Sequence, residues 1–341
     1  MRVGFVGAGA IAEHHLAVLS ELPDVVVAAV CDLDGRRANE VARRSGAQAF
    51  TDLEAMLADV KLDALFVCTP PMQHAGPAIA AFKRGLAVYL EKPLARRLAD
   101  GDAIVSAWHG SGAVCAVGYQ WRSLDVLREV RSQLRDDVPG MLVSRSFGPT
   151  EGARRDLDGR ADWFSDPDRS GGVLFELASH DVDLQIALAG PVESVQATAG
   201  SGLLALAGRA SSPLDDAVAL LLRFAGGGIG AVHVAWNPAQ RPPLYALDIH
   251  ARDVALQLVL DPDFALRGHA HGARVDLRGS VGPRVSSVAQ FLAAVRSGDS
   301  AAVACGPADA LETLRAILAC ERSLGTGRRE AVQPSLTNRS D

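Results

Sequence analysis

Short apolar runs alternate with amphipathic segments over the first 120 residues of the chain. Each run ends at glycine or at a polar residue, as buried strands of a parallel sheet do. The predicted strands cover 2–7, 25–31, 63–68, 86–90 and 113–118, and the predicted helices cover 13–19, 35–45, 51–58, 73–84 and 98–109. This alternation predicts a doubly wound parallel sheet, in which ligands bind beyond the carboxyl ends of the strands.

The pattern changes after residue 120. Helices are predicted over 123–135, 172–189, 285–297 and 307–324, and strands over 141–147, 192–199, 217–224, 229–236, 244–250 and 254–260, with a polar loop over 148–170. Successive strands predict an α+β domain with a large open, mostly antiparallel sheet. We therefore divide the chain into an α/β domain, 1–120, and an α+β domain, 121–341, whose last helices have room to pack back on the first. We expect the residues after Thr326 to be loose.

Composition and charge narrow the class of protein. The chain has 341 residues, of which 48% are hydrophobic and 22% charged, as is typical of a globular protein. A net charge of −6 gives no electrostatic reason to expect nucleic acid, and no apolar run reaches the roughly 18 residues of a membrane span. The five cysteines are scattered, and the chain begins with strand-like residues rather than a signal sequence. We expect a cytoplasmic protein with a small polar substrate.

The junction between the first strand and the first helix has the form of a phosphate-binding turn. Gly7 permits a tight reversal, Gly9 lets the backbone approach a pyrophosphate, and Ala12 lets the helix pack on the strand. The unpaired N–H groups at the start of the helix would meet the charge of the ligand. The residues expected at the cofactor are Gly7, Gly9, Ala10, Ile11 and Ala12.

An acidic residue follows the second strand, where a dinucleotide-binding fold places the ligand of its ribose. Asp32 comes 20 positions after Ala12, and a carboxylate there binds ribose hydroxyls and repels a 2′-phosphate. NAD is therefore the favoured cofactor. Arg36 and Arg37 lie close behind and could accommodate that phosphate, so NADP stays open.

Lys92 stands at the end of the fourth predicted strand, between Glu91 and Pro93. It is one of only three lysines among 34 basic residues. An ammonium can lose its proton when partly desolvated, whereas a guanidinium effectively cannot. We therefore favour a proton-transfer role over that of an ordinary surface lysine. Pro93 keeps Lys92 out of helical conformation and permits a cis bond.

A second group of polar residues lies on the long helix that follows the polar loop. Glu176 and His180 are four residues apart and share a helix face, and Asp183 follows the histidine by three. A histidine held by a carboxylate suits proton transfer with a hydroxyl, although in isolation an acid–histidine pair on a helix surface is the commoner arrangement. His269 and His271 lack nearby partners and are expected in a surface loop, so no metal site is predicted.

Together these motifs resemble the glucose–fructose oxidoreductase, inositol dehydrogenase and rhizopine catabolism (Gfo/Idh/MocA) family over nearly the whole chain. The residues that carry the resemblance are Gly7 to Ala12, Asp32, Cys68 to Pro70 with His74, Glu91 to Pro93, Gly118 to Arg122, and Gly171 to Asp183. The resemblance implies a Rossmann domain over 1–120, a substrate-binding and oligomerisation domain over 121–341, tight NAD(P) binding, and a homodimer or homotetramer built on the open sheet face.

By that resemblance Lys92 and His180 act on the reacting hydroxyl or carbonyl. The family's dehydrogenases commonly have aspartate where this chain has Glu176, which leaves open whether Glu176 orients His180, contacts substrate or marks a subgroup. Further cofactor contacts are expected from Arg37, Thr69, Pro70, His74, Glu91 and Lys92, although His74 could instead cap its helix. Substrate contacts are expected from Lys92, Glu176 and His180. Further candidates, each of which could equally have a structural role, are Arg122, Arg154, Arg155, Asp156, Trp163 and Asn237.

The predicted activity is hydride transfer between a nicotinamide and a carbon that bears a secondary hydroxyl, on a sugar, polyol or related compound. His180 or Lys92 would take the hydroxyl proton, and the other would stabilise the developing alkoxide. Two alternatives stay open. One is glycoside cleavage or epimerisation assisted by a retained NAD, and the other is a dinucleotide-sensing regulator without catalysis.

Overall fold

The structure, a computed structural model, separates into two compact units. Unit 1 comprises residues 1–120 and 284–311, and unit 2 comprises residues 121–283 and 312–341. The residues described are 1–135, 137–148, 166–201, 214–237, 243–261 and 263–333. In this part of the chain no helix is long and apolar enough to cross a membrane.

Unit 1 alternates strands and helices around a six-stranded sheet. Its strands are β1 (Arg2–Val6), β2 (Val26–Cys31), β3 (Gln48–Phe50), β4 (Ala64–Val67), β5 (Ala87–Leu90) and β6 (Cys115–Val117). Its helices are α1 (Ala10–Ser20), α2 (Gly35–Ser45), α3 (Leu53–Asp59), α4 (Ala75–Phe82), α5 (Leu98–Ser111) and, from late in the chain, α9 (Pro283–Ser297). The strand order is β3-β2-β1-β4-β5-β6 with all pairs parallel, which confirms the predicted doubly wound sheet.

Aromatic rings stack across the middle of this sheet. Phe5, Phe66 and Tyr89 stand in register on β1, β4 and β5, and successive ring centroids are 4.9 and 5.1 Å apart. Phe291 of α9 meets Phe66 and Tyr89 edge-on at 5.7 and 5.5 Å, and the Tyr89 hydroxyl lies 3.0 Å from Ser287 Oγ. Each fully buried ring contributes about 2 kcal/mol, so this cluster fixes α9 on the sheet.

Unit 2 is built on a nine-stranded sheet. Its strands are β7 (Met141–Gly148), β8 (Val192–Gly200), β9 (Ala217–Phe224), β10 (Ile229–Trp236), β11 (Leu244–Ala251), β12 (Val254–Asp261), β13 (Ala265–Ala270), β14 (Ala273–Arg278) and β15 (Glu330–Ala331). The order is β14-β13-β12-β11-β7-β10-β9-β8-β15. Among these described strands, β7 and β10 pair in parallel and the other pairs are antiparallel, which confirms the predicted mostly antiparallel sheet.

The helices of unit 2 pack on this sheet. They are α6 (Asp125–Leu134), α7 (Pro167–Ser170), a π-helical turn (Leu174–Ala178), α8 (Ser179–Ala189) and the part of α10 (Pro307–Thr326) from Glu312 onward. Helix α8 contacts β7 and β10. The residues of β7 that point inward, among them Ser144 and Ser146, are fully buried. The chain thus places hydroxyl groups beneath α8, where a sheet normally carries apolar side chains.

The sequence prediction misses four short strands, β3, β13, β14 and β15. His269 lies in β13 rather than in a surface loop, and His271 occupies the turn after it with φ 50° and with Nε2 2.9 Å from the Gln133 carbonyl oxygen. Strand β14 buries only Val275, so it lacks the alternation that marks a strand in a sequence. The segment expected to be loose after Thr326 contains β15, which pairs with β8.

Candidate active site

Gly7 and Gly9 shape the turn between β1 and α1 in different ways. Gly7 has φ 87°, and a Cβ there would lie 2.6 Å from the Cys68 carbonyl oxygen, so the neighbouring strand end excludes a side chain. A Cβ on Gly9 would have no atom within 4 Å, and no side chain caps the helix that follows. Neither a side chain at Gly9 nor a cap therefore stands between the first N–H groups of α1 and an anion.

Asp32 is held beside this turn by backbone amides. Its Oδ2 accepts the N–H of Ala8 at 2.8 Å, and its Oδ1 accepts the N–H of Asp34 at 2.9 Å. Each oxygen keeps a further lone pair for a ribose hydroxyl. Arg37 lies 3.8 Å from Asp32 and 4.0 Å from Asp34, so its guanidinium faces two carboxylates. These residues fit an NAD ribose.

Lys92 is half-buried at the end of β5, and its bond to Pro93 is cis. Glu91 is buried beside it, with Oε1 2.6 Å from Nε2 of His15 and Oε2 accepting the N–H of Lys92 at 3.2 Å. Burial acts to raise the pKa of Glu91. The hydrogen bond from His15 and the charges of His15, Lys92 and Arg284 outweigh burial and lower the pKa. Both carboxylate oxygens thus face residues of unit 1, and a contact between Glu91 and the cofactor stays a prediction.

His74 joins two strand ends. Its Nε2 lies 2.9 Å from the Thr69 carbonyl oxygen, and its Nδ1 lies 3.0 Å from that of Pro93 and 3.3 Å from that of Leu94. Burial lowers the pKa of His74 although these carbonyl groups oppose the shift. The ring therefore positions the backbone on both sides of it. Contacts of His74, Thr69 and Pro70 with the cofactor stay predictions.

A buried ion pair anchors α8 in unit 2. Arg122 donates from Nε and Nη2 to the two carboxylate oxygens of Asp183, at 2.7 and 2.8 Å, and the hydroxyl of Thr313 donates to the same carboxylate at 2.9 Å. Both charged side chains are at most 5% exposed. Asp183 is thus paired with Arg122. The geometry supports a positioning role for Arg122, whose contact with substrate stays a prediction.

The next residue after His180 is a buried acid. Asp181 Oδ1 accepts a hydrogen bond from Ser146 at 2.9 Å, and Ser144 adds a second. Burial raises the pKa of Asp181 to about 7, although both serines oppose the shift. The Ser144 hydroxyl accepts in turn from Gln185 at 2.9 Å, so α8 is tied to β7 at two points one turn apart.

His180 is 8% exposed and packs on an aromatic ring. Its centroid lies 4.9 Å from that of Trp121, at an interplanar angle of 36°. Glu176 is half-buried in the π-helical turn, whose wider spacing changes the face that a four-residue separation would share in an α-helix. π-Helical turns of this kind occur frequently at functional sites.

Tyr245 is a residue of this region that sequence reasoning misses. Its ring lies 5.9 Å from that of Trp121, and a Cβ on Gly148 would come within 2.5 Å of its hydroxyl oxygen. Burial raises the pKa of Tyr245, and the charges of Glu176, Asp261 and Asp181 add to the shift. No sequence signal distinguishes it, because a tyrosine in a strand pattern reads as an ordinary core residue.

Some of the remaining residues predicted for the site lie in the described part of the chain, and others lie outside it. Ala10, Ile11 and Ala12 form the first turn of α1, which begins three residues before the predicted start at Glu13. Asn237 follows β10, and its N–H is bonded to the Gly148 carbonyl at 2.9 Å. Predicted substrate residues that lie outside the described part of the chain are Arg154, Arg155, Asp156 and Trp163. Within the described part, no group of three or more His, Cys, Asp or Glu residues could hold a metal ion.

A parallel sheet with this glycine turn and this carboxylate defines a dinucleotide-binding protein. Residues 1–119 match the family model of the GFO/IDH/MocA oxidoreductases with an NAD-binding Rossmann fold, and residues 128–257 match the GFO/IDH/MocA C-terminal domain. The two matches together cover more than half of the chain. The chain therefore belongs to the GFO/IDH/MocA family of oxidoreductases, and its cofactor is NAD.

Similar proteins include several dehydrogenases. The chain is 32% identical to 4-carboxy-2-hydroxymuconate-6-semialdehyde dehydrogenase of Sphingobium sp. over 59% of this chain and 62% of that protein. It is 26% identical to myo-inositol 2-dehydrogenase of Thermotoga maritima over 68% of this chain and 67% of that protein. The fold matches the WlbA dehydrogenase of Bordetella pertussis, solved with NADH and UDP-GlcNAcA, with TM-score 0.80 and 24% identity over 98% of this chain and 99% of that one.

Substitutions at the two glycines of the turn are expected to affect different properties, NADH binding at Gly9 and stability at Gly7. Gly9→Ala should leave the free energy of unfolding within about 1 kcal/mol of the native value but weaken NADH binding about tenfold or more, because its Cβ occupies only the space a pyrophosphate needs. Gly7→Ala should lower the free energy of unfolding by roughly 1–3 kcal/mol, since it adds strain at positive φ. Urea unfolding and a NADH fluorescence titration measure both quantities. Unchanged NADH affinity in Gly9→Ala would contradict the assignment.

Asp181 predicts a pH-dependent stability. Its folded-state pKa of about 7 lies above the unfolded value of 3.8, so the native state binds more protons between these values. The contribution of Asp181 is therefore complete below pH 4 and is lost as the pH rises through 7. Relative to Asp181→Asn, the native protein should lose roughly 2–4 kcal/mol of unfolding free energy between pH 4.5 and pH 8. A difference between the two proteins that does not change with pH would refute this prediction.

Proposed function

We propose that this protein is an NAD-dependent oxidoreductase that acts on a secondary hydroxyl or ketone of a sugar, polyol or related compound. The carrying observation is the N-terminus of α1 at Gly9, which no side chain caps, beside the carboxylate of Asp32 fixed by two amides. Membership of the family supports the reaction type. The names of similar proteins, inositol and levoglucosan dehydrogenases among them, support a hydroxylated substrate.

The residues of unit 1 favour NAD over NADP. Asp32 directs a negative charge toward the ribose position. Arg37, one of the two arginines that follow it, faces Asp32 and Asp34 rather than the position of a 2′-phosphate. Gly9 and the first N–H groups of α1 would hold the pyrophosphate. When bound, NAD supplies the ring carbon that accepts or returns the hydride.

The chain itself has to manage one proton. Lys92 is the proposed group that hydrogen-bonds the reacting oxygen, because its half-buried ammonium can stabilise a developing alkoxide. His180 is the proposed proton acceptor, since its ring is held by Trp121 and its helix by buried polar contacts. Glu176 is proposed to contact the substrate or to set the charge around His180.

Lys92→Ala separates binding from chemistry. NADH affinity should stay within about threefold of the native value, while kcat/KM on a substrate found in a sugar and polyol panel should fall about 100-fold or more. Lys83→Ala, at an exposed lysine after α4, is the matched control and should behave as the native protein. Normal turnover by Lys92→Ala would overturn its role. Bound NADH without turnover on any substrate of the panel would instead favour a dinucleotide-sensing regulator.

We also propose that two or four copies of the chain associate through the open face of the nine-stranded sheet. That face carries the exposed apolar side chains of Met141, Leu221 and Ile229, which are 41%, 59% and 49% exposed, and Ile229 pairs with Met141 in register. Apolar residues exposed on adjacent strands are typical of a contact surface. The five free, buried cysteines support a reducing, cytoplasmic location.

Light scattering tests the proposed assembly. Leu221→Arg with Ile229→Arg should shift the native mass toward that of the 35.7 kDa monomer, because two charges on the apolar face oppose its burial. Arg274→Glu, on the exposed edge strand β14, is a control that should leave the mass unchanged. A native protein that is already monomeric at micromolar concentration would contradict the proposal.

A further inference from the structure

A buried imidazole–carboxylate pair lies behind Lys92, and the proposed chemistry does not use its imidazole. Nε2 of His15 and Oε1 of Glu91 are 2.6 Å apart, and the two side chains are 1% and 10% exposed. A contact this short between buried groups is a strong, charge-assisted hydrogen bond. Its two partners come from sequence positions 76 residues apart, on α1 and at the end of β5.

The position of His15 is fixed by the core. Its ring meets Tyr89 edge-on at 5.0 Å and lies tilted against Phe66 at 5.7 Å. It belongs to α1, the helix whose first N–H groups are proposed to hold the cofactor pyrophosphate. The imidazole therefore cannot swing away from Glu91 without disturbing either the aromatic core or that helix.

The second oxygen of Glu91 leads to Lys92. Oε2 accepts the backbone N–H of Lys92 at 3.2 Å, and a Cβ on Gly118 would come within 3.2 Å of the same oxygen. The carboxylate is thus held from two sides, and the backbone of Lys92 is anchored on it. A bulkier residue at position 118 would push the carboxylate out of this position.

Three side chains act on this one carboxylate. The charged groups that act on Glu91 are His15, Lys92 and Arg284, and the further titratable groups near enough to sense its charge are Cys68, His74 and Tyr89. A carboxylate that accepts a hydrogen bond from His15 has part of its charge compensated, so it attracts the Lys92 ammonium less strongly.

We propose that His15 and Glu91 are positioning residues that join the cofactor-binding helix to Lys92 and set the fraction of Lys92 present as the neutral amine. This inference rests on the proposed function, in which Lys92 acts on the reacting oxygen. It predicts that removing either partner changes the neutral fraction of Lys92, with opposite signs for the two partners. Removing the carboxylate charge should increase the neutral fraction of Lys92, whereas removing His15 should decrease it.

Amine labelling measures this fraction directly. Trinitrobenzenesulfonate reacts with neutral amines, and the chain has only three lysines, so Lys61 and Lys83 serve as internal standards in the same sample. Initial rates for each lysine would be measured by peptide mass spectrometry at pH 8. The variants are Glu91→Gln, His15→Phe, His15→Gln, and Tyr89→Phe as a control that removes a hydroxyl from the same aromatic cluster.

The Lys92 rate, relative to the two standards, should rise about threefold or more in Glu91→Gln and fall about threefold or more in His15→Phe. His15→Gln restores a donor at the position of Nε2 and should return the rate to within about twofold of native. Tyr89→Phe should match the native protein. If His15 and Glu91 had only a structural role, either substitution would loosen the segment around Lys92, and the Lys92 rate would rise in both Glu91→Gln and His15→Phe.

Changes of the same sign in Glu91→Gln and His15→Phe, or an unchanged Lys92 rate in both, would overturn the inference. If His15→Phe does not fold, the pH profile of the Lys92 rate in Glu91→Gln decides: the proposal expects the midpoint of the profile to move to lower pH, and a rate that rises equally at all pH values, or does not rise, rejects it. A parallel NADH titration keeps the two claims apart. Failure of the native protein to bind NADH would reject the proposed function, while the labelling rates would still report on the pair.

Discussion

The close packing of three strand ends around Gly7 is the constraint on which the dinucleotide site of unit 1 depends. The N–H of Gly7 bonds to the Cys31 carbonyl at 2.9 Å, and its α-carbon faces the Cys68 carbonyl so closely that no side chain fits. The ends of β1, β2 and β4 are therefore fixed relative to one another. Asp32 follows β2 directly and Thr69 follows β4 by two residues, so the packing of these strand ends sets the backbone positions of both.

Polar groups inside the core of unit 2 set the orientation of helix α8. Helix α8 carries Asp181, Asp183 and Gln185, all at most 1% exposed. Asp181 and Gln185 bond to serines of β7, and Asp183 bonds to Arg122 and Thr313. Buried polar contacts of this kind contribute little net stability, because desolvation offsets them. They do specify one orientation, since any rotation of the helix would leave a buried charge unpaired. Because His180 lies on the same helix, that orientation also sets its position.

The sequence indicates the parts of this design that depend on local chemistry. The turn at Gly7 and Gly9, the carboxylate of Asp32 and the alternation of strands in unit 1 were all predictable, because each needs particular residues at a fixed spacing. The partners of buried polar groups were not predictable. Arg122 and Asp183 lie 61 positions apart, and the local sequence around either residue contains no signal that predicts the other as its partner. β14 was missed for a related reason, since a strand with one buried residue has no periodicity to detect.

Two buried acids show that partners which the sequence does not predict determine the pKa of a side chain. Glu91 and Asp181 are both removed from water, and burial alone would raise the pKa of each. Glu91 faces His15 and Lys92, and its pKa is lowered. Asp181 meets two serine hydroxyls, and its pKa rises to about 7. One acid is therefore a fixed charge beside the proposed catalytic lysine, and the other is a titrating group one residue from the proposed catalytic histidine. The difference comes from the groups that face each carboxylate, the hydrogen bond from His15 first among them, and not from the acid.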